Sequence, residues 1–241
     1  MPDLYLNTST QPPAQPLKPI AAPSMFNYHL GIQPELSSGM AEVKAFMQSG
    51  LNDCNGVSSR RTKLDSHKTY AHNLSEIADH AAKVVKRNND GLANARKALA
   101  ASTIETEKAL KAKVGLQAGP TASEIRGVFR AMKTAERHAK LTEAFRRQDR
   151  EIIGAIVGQN ELLHGCNPEL VAALYDEFSK AVAPAEYASL QEHHKVSGYL
   201  DNVGIELLSW NASIFEGTDK YADERQKAEA VLGSYGFKFE A

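Results

Sequence analysis

The sequence is poor in cysteine, in tryptophan and in long apolar runs. Its 241 residues include two cysteines, Cys54 and Cys166, and one tryptophan, Trp210. Two cysteines in a chain of this length do not form the disulfide framework of small secreted domains. The longest apolar run, Ile152 to Gly158, is far shorter than the ~20 residues that span a bilayer. No charged region followed by an apolar region opens the chain, so we expect neither a membrane span nor a secretion signal.

Signatures of catalysis and of nucleotide binding are also lacking. The glycine-containing segments 31–39 and 115–120 have neither the lysine nor the strand–helix context of a phosphate-binding loop. Glu161 and His164 have the Glu-x-x-His spacing of di-iron bundles, but no second copy accompanies them. Cys166 lacks the partners that a thiol nucleophile needs. His72, Glu76 and His80 share one helical face. They could hold a metal ion in an assembled interface, but the spacing is more typical of a polar stripe beside an apolar one. We therefore expect a non-enzymatic protein without catalytic residues, metal or cofactor.

Proline, in contrast, is concentrated at the front of the chain. Seven of the ten prolines fall within the first 34 residues, and three recur every third residue, as in a polyproline II helix. Proline fixes φ and lacks the backbone donor, so residues 1–33 are predicted to form an extended arm. The apolar residues among the prolines indicate that the arm packs on a surface, of its own subunit or of a neighbour. The predicted contact residues are Leu4, Leu6, Pro13, Pro16, Leu17, Pro19, Ile20 and Phe26.

Helical periodicity dominates the rest of the chain. Residues 34–59 are predicted as a short helix that ends near Gly50, followed by a loop with an Asn55-Gly56 turn. Residues 63–114 contain no proline and repeat their apolar positions every eleven residues, which predicts a nearly straight helix. A kink or break near residues 88–91 is the alternative.

A second long helix is predicted after the interruption at residues 115–120. Thr121 and Glu124 have the spacing of a capping box, and an apolar stripe continues to about His164. Because the connection is short, the two long helices of residues 60–164 are expected to pack antiparallel. The predicted fold class is all-α: a long antiparallel helical hairpin packed with shorter helices, an elongated helical bundle, with an extended proline-rich N-terminal arm.

Residues 165–241 are predicted to form a further helical part with an aromatic tail. Asn167-Pro168 and Pro184 are typical helix starts. A last helix is expected over residues 218–233. The tail is predicted to form a short strand or an anchor through Tyr235, Phe237 and Phe239.

The formal net charge of −1 conceals an asymmetry. Residues 60–164 hold 20 basic against 12 acidic side chains, whereas residues 165–241 hold 6 against 13. Attraction between the two parts, within or between copies, is the favoured interpretation, and a nucleic-acid surface is the alternative. The candidate basic surface is a stripe at helical spacing: Arg126, Arg130, Lys133, Arg137, Lys140 and Arg147.

A helical body with an extended arm and an aromatic tail is typical of subunits that lock together. This architecture resembles that of tailed-phage virion proteins such as connectors or internal core components, although no motif carries the resemblance. It implies a structural assembly protein, in the cytoplasm or a virion, that contacts other protein subunits as a homo-oligomer in a larger complex. The alternative is a helical nucleic-acid-associated or regulatory protein that uses the basic segment 60–164.

Overall fold

A computed structural model of the chain describes residues 16–218, and they are all-α. No β-strand occurs within this range, which confirms the predicted fold class. Two 3-10 helices span Ser24–Gly31 and Pro34–Leu36. The α-helices are α1 (Ser38–Thr62), α2 (Tyr70–Val114), α3 (Ala122–Ala131), α4 (Thr134–Arg146), α5 (Arg150–Ile156), α6 (Glu161–His164), α7 (Pro168–Val182) and α8 (Pro184–Ser213).

Several predictions fall outside the described residues. These are the contacts of three arm residues, the helix predicted over residues 218–233 beyond its first residue, and the aromatic tail. The individual residues concerned are Leu4, Leu6, Pro13, Tyr235, Phe237 and Phe239.

The chain divides into two compact units. Unit 1 comprises Met1–Ala98 and Ser197–Ala241, and unit 2 comprises Leu99–Val196. The chain passes from unit 1 into unit 2 within α2 and returns within α8.

In unit 1, α1, the first part of α2 and the last part of α8 form a helical bundle. Arg87 of α2 pairs with Asp53 of α1 at 2.7 Å, and Arg96 pairs with Asp201 of α8 at 3.0 Å. A second contact on each helix pair, Phe46 against Gly91 and Asn211 Nδ2 to Asn89 Oδ1 at 3.4 Å, shows that both pairs are antiparallel. The partners of α2 here are α1 and α8. Buried apolar side chains of the three helices, together with Ile214 just past the end of α8, fill the space between them: Met40, Val43, Met47, Leu74, Ala81, Val84, Leu200, Val203 and Leu207.

Helix α1 corrects the prediction of a short helix and a loop within residues 34–59. It runs without interruption from Ser38 to Thr62, through the expected turn at Asn55-Gly56. Cys54 and Val57, on either side of that turn signal, are buried in the bundle. Burial of this face outweighs the poor helix propensity of asparagine and glycine, which is at most about 1 kcal/mol per residue.

Helix α2 is continuous, so the prediction of one long helix is confirmed and the alternative of a break is not realised. It begins at Tyr70, a few residues later than expected. Asn88 is buried on the same face as the apolar positions, and its Nδ2 lies 3.6 Å from Cys54 Sγ. The eleven-residue stripe faces the cores as predicted: Ile77, Ala81, Val84, Ala95, Leu99, Leu110 and Val114 are buried.

In unit 2, the prediction of one helix from Thr121 to His164 is wrong. The segment forms four helices, α3 to α6. The backbone is extended at Met132, and it adopts positive φ at Gln148 and at Gly158. Each break redirects the apolar stripe onto one shared core, which includes Leu110, Phe129, Leu141, Phe145, Ile153, Ile156, Phe178 and Leu190.

Helix α5 packs directly against the backbone of Gln117. A Cβ on Gly154 of α5 would lie 2.5 Å from the Gln117 carbonyl oxygen, so only glycine permits this contact. The predicted capping box is also absent. Thr121 precedes α3, but its hydroxyl bonds to Glu151 instead of capping the helix. Farther on, Asn167 caps α7 and Pro184 begins α8, as predicted.

Candidate interaction sites

The described part of the arm, residues 16–33, lies on the chain's own unit 1. The Leu17 amide donates to the Arg61 carbonyl at 3.0 Å, and the Ile20 amide donates to Ser58 Oγ at 3.2 Å. Leu17 and Ile20 are half-buried, whereas Pro16 and Pro19 are exposed. Residues 16–23 form no helix or strand and pass along the end of α1, as their proline content predicts.

The side chain of Arg61 holds both ends of the described chain. It is 2% exposed, and its guanidinium donates to the carbonyls of Lys18 (3.1 Å), Ile214 (2.6 Å) and Glu216 (3.0 Å). Burial lowers the pKa of Arg61, and the nearby Glu216 carboxylate opposes that shift. We call Arg61 with residues 17–18 and 214–216 the Arg61 clasp.

Beyond Pro23 the arm is not extended, contrary to the prediction for residues 1–33. Residues 24–31 form a 3-10 helix whose Phe26 is fully buried. The Phe26 ring packs edge-on against Phe46, with centroids 5.8 Å apart, and fills the space that a side chain at Gly50 would need. Residues 24–31 contain no proline, and burial of the Phe26 ring stabilises this 3-10 helix.

Glu206 of α8 attaches the start of this 3-10 helix. Its two carboxylate oxygens accept from Ser24 Oγ at 2.8 Å and from the Met25 amide at 3.0 Å. The Tyr28 ring lies 4.8 Å from that of Tyr199. Sequence patterns did not single out Arg61 or Glu206, because one charged residue on a helix has the same signature whether it faces solvent or a neighbouring segment.

The predicted basic stripe does not lie on one helix. It is divided between α3 and α4 by the break at residues 132–133. Arg126 donates to the Ala155 carbonyl at 3.2 Å, and Arg147 pairs with Glu143 at 2.6 Å. Four members are exposed: Arg130, Lys133, Lys140 and the ion-paired Arg147.

Arg137 is the member of the stripe most engaged by its own chain. Its guanidinium donates to Phe129 O and Met132 O, both at 2.8 Å, and also to the Gly165 carbonyl. It thereby satisfies carbonyls at the end of α3, where intrahelical partners run out, and ties them to the end of α6. A guanidinium with this many backbone partners has little donor capacity left for a phosphate.

Unit 2 contains a groove of about 620 Å³ between the loop that follows α5, helix α6 and helix α7. Its lining is mainly apolar and includes Val157, Leu162, Val171 and Tyr175. Buried His164 also lines it. His164 Nδ1 accepts from the Cys166 amide at 3.0 Å, so the ring proton resides on Nε2, which faces Gln159 O at 3.4 Å. Burial lowers the pKa of His164, consistent with a neutral ring held by two backbone groups.

Within residues 16–218, no group of three or more His, Cys, Asp or Glu side chains is arranged to hold a metal ion. His72 Nε2 does lie 3.2 Å from Glu76 Oε1, but Lys68 Nζ is closer to that carboxylate, at 2.7 Å. The hydrogen bond from Lys68 is the main reason that the pKa of Glu76 is lowered. Lys68, His72 and Glu76 thus form an exposed polar cluster at the start of α2.

The two thiols are expected to be unreactive in the native protein. Burial raises the pKa of Cys54 to about 12 and also raises that of Cys166. At pH 8, about one Cys54 in ten thousand is then a thiolate, the form that attacks a disulfide reagent. Titration with Ellman's reagent should release almost no colour until denaturant is added, and then two equivalents per chain. Rapid release of one equivalent from the folded protein would contradict this.

No helix among the described residues is long and apolar enough to cross a membrane. Comparison with protein-family models, curated proteins and solved structures finds no match to this chain.

Proposed function

We propose that this chain is a non-enzymatic structural subunit of a large multi-subunit assembly, most specifically a virion component of the tailed-phage type. In this proposal, residues 1–15 contact a neighbouring copy through Leu4, Leu6 and Pro13. The observation that carries it is the fixed origin of that segment. The Arg61 clasp and buried Phe26 attach residues 17–26 to the body.

Because residue 17 is fixed on the body, the segment before it can contact only surfaces within its own length. Fifteen extended residues span up to about 50 Å, enough to leave the subunit on which they begin. The chain also carries an exposed apolar surface on which leucines of a neighbouring copy can pack. Leu162, beside the groove of unit 2, is 75% exposed, and exposed apolar side chains of this size commonly mark protein–protein contacts.

The test is the solution mass of two chains by light scattering over a range of concentrations. Full-length protein should form a discrete oligomer, whereas residues 16–241 should be monomeric with an unchanged Trp210 emission spectrum. This truncation keeps Phe26 in place; removal of residues 1–33 would expose the core and confuse assembly with folding. The variant Leu4→Ser/Leu6→Ser should behave like the truncation, and Thr8→Ser/Thr10→Ser should behave like the full chain.

Either of two results would overturn the proposal. One is a monomeric full-length chain at every concentration, and the other is an oligomer that residues 16–241 form equally well. If the monomer instead bound DNA with an affinity that fell steeply with salt, the exposed cations Arg130, Lys133 and Lys140 would become the site to map.

A further inference from the structure

The groove beside α6 in unit 2 has the size and the lining of a small-molecule site. Its volume of about 620 Å³ lies within the range of roughly 300–1,000 Å³ over which proteins bind small organic ligands. Apolar side chains form much of its walls: Val157, Leu162, Val171 and Ala172. Such walls suit an apolar ligand body, and the few polar groups among them select the head group that the ligand carries.

His164 supplies a hydrogen-bond donor at the floor of this groove. Its side chain lines the groove but is only 2% exposed, and Nδ1 accepts from the Cys166 amide, so the ring proton is on Nε2. Within the chain, Nε2 faces Gln159 O at 3.4 Å, longer than the ~2.7–3.2 Å of an ordinary N–H···O bond. The Nε2–H is therefore weakly bonded and can donate to an oxygen of a ligand. Tyr175, which also lines the groove, carries a second donor in its hydroxyl.

Fixed positive charge lies near this ring. Burial is the main cause of the lowered pKa of His164, and the charges of Arg126 and Arg137 lower it further. Both guanidiniums are held by backbone carbonyls of their own chain, so their positions are fixed. The Glu161 carboxylate acts in the opposite direction, but it is one anion against two cations. The surroundings of His164 thus favour an anionic head group over a cationic one.

We propose that this groove binds a free alkyl carboxylate, with its hydrocarbon chain between Leu162 and Val171 and one carboxylate oxygen accepting the His164 Nε2–H. A carboxylate only accepts hydrogen bonds, which matches a ring that offers a donor. A phosphate ester has more oxygens to satisfy, whereas the donors of Arg137 are already used by backbone carbonyls. A peptide C-terminus presents the same carboxylate, but its backbone amides would be left without partners on apolar walls. The inference does not depend on assembly.

Decanoate is the probe for this site, and decylammonium is its matched control, with the same chain length and the opposite charge. Isothermal titration calorimetry of the full-length chain at neutral pH should give a Kd for decanoate below about 1 mM. Decylammonium should bind at least about tenfold more weakly, because it cannot accept the Nε2–H and meets the two arginine charges. Absence of decanoate binding, or equal affinities for the two compounds, would overturn the proposal.

Two neighbouring alanines of α7 test where decanoate binds. Ala172 lines the groove and is exposed, so Ala172→Phe should fill the groove without disturbing the core, and it should weaken decanoate binding at least about tenfold. Ala173 is equally exposed but lies outside the lining, so Ala173→Phe should bind decanoate like the unmodified chain. Far-UV circular dichroism should be the same for both variants. Equal decanoate affinities of the two variants would place the ligand elsewhere and overturn the proposal.

His164→Asn tests the hydrogen bond to the head group. The asparagine oxygen can take the place of Nδ1 and accept from the Cys166 amide, but this side chain does not reach the position of the Nε2–H. Decanoate affinity should fall about tenfold, and the weak affinity for decylammonium should not change. If the variant does not fold, the carbon-bound ring protons of His164 in the native chain provide the readout by NMR. They should shift with decanoate and not with decylammonium. Unchanged decanoate affinity in the folded variant, or unmoved ring resonances, would overturn the proposal.

Discussion

Replacing Arg61 with alanine should lower the free energy of unfolding of unit 1 by about 3–5 kcal/mol, because three backbone carbonyls lose their common donor. Those carbonyls belong to Lys18, Ile214 and Glu216. At 2% exposure of Arg61, water cannot readily replace the guanidinium. Urea unfolding followed by the fluorescence of Trp210 measures the loss, since this sole tryptophan is buried in unit 1.

Arg60 provides the matched control for this prediction. It is the preceding residue of α1 but is exposed, so Arg60→Ala should change stability by no more than about 0.5 kcal/mol. Arg61→Lys should recover only a small part of the loss, because an ammonium cannot reproduce the fork of donors that reaches three carbonyls. Equal effects of Arg61→Ala and Arg60→Ala would show that the clasp contributes nothing.

The same substitution should also release the arm. The amides of Leu17 and Ile20 bond to the end of α1, so hydrogen exchange at both should approach the rate of unstructured chain in Arg61→Ala. Exchange in the middle of α2 should change far less. A global stability loss without preferential exchange at the arm would mean that Arg61 supports the bundle but not the attachment.

Elements governed by local rules were predictable from the sequence. The apolar repeat located the buried face of α2, and Asn167 and Pro184 marked the starts of α7 and α8 because capping and the first-turn preference of proline are local. In α1, the same kind of local signal failed. Asn55-Gly56 predicts a turn, but burial of Cys54 and Val57 by distant segments keeps the helix intact.

The breaks between α3 and α6 could not be predicted from periodicity. An apolar stripe that stops and resumes in a new direction has nearly the same spacing as one that continues. What distinguishes them is tertiary: the contact of Gly154 with Gln117 and the position of Arg137 at the end of α3. In the candidate sites, charge pattern likewise could not separate the cations that serve their own backbone from those that remain exposed, since both occupy helical spacing of three or four residues.

Arg137→Ala should lower the free energy of unfolding of unit 2 by about 3 kcal/mol, because the end of α3 and the end of α6 lose a shared donor. Phe129 O, Met132 O and Gly165 O would all lose their hydrogen bond to the guanidinium. Trp210 lies in unit 1 and does not report this change, so the measurement is hydrogen exchange over residues 122–146 together with far-UV circular dichroism. Exchange of α3 and α4 amides should accelerate, and unit 1 should keep its Trp210 transition.

Arg130 and Lys140 separate the structural role of Arg137 from a role in charge. Both are exposed members of the same predicted stripe, so Arg130→Ala and Lys140→Ala each remove one positive charge with little expected effect on stability. If the stripe bound nucleic acid, all three substitutions would weaken binding to a similar degree and reduce its salt dependence. A structural Arg137 instead gives a large stability loss for one substitution and near-neutral effects for the other two. If the three variants were equally stable, Arg137 would have no structural role in unit 2, and the stripe would again be a candidate surface.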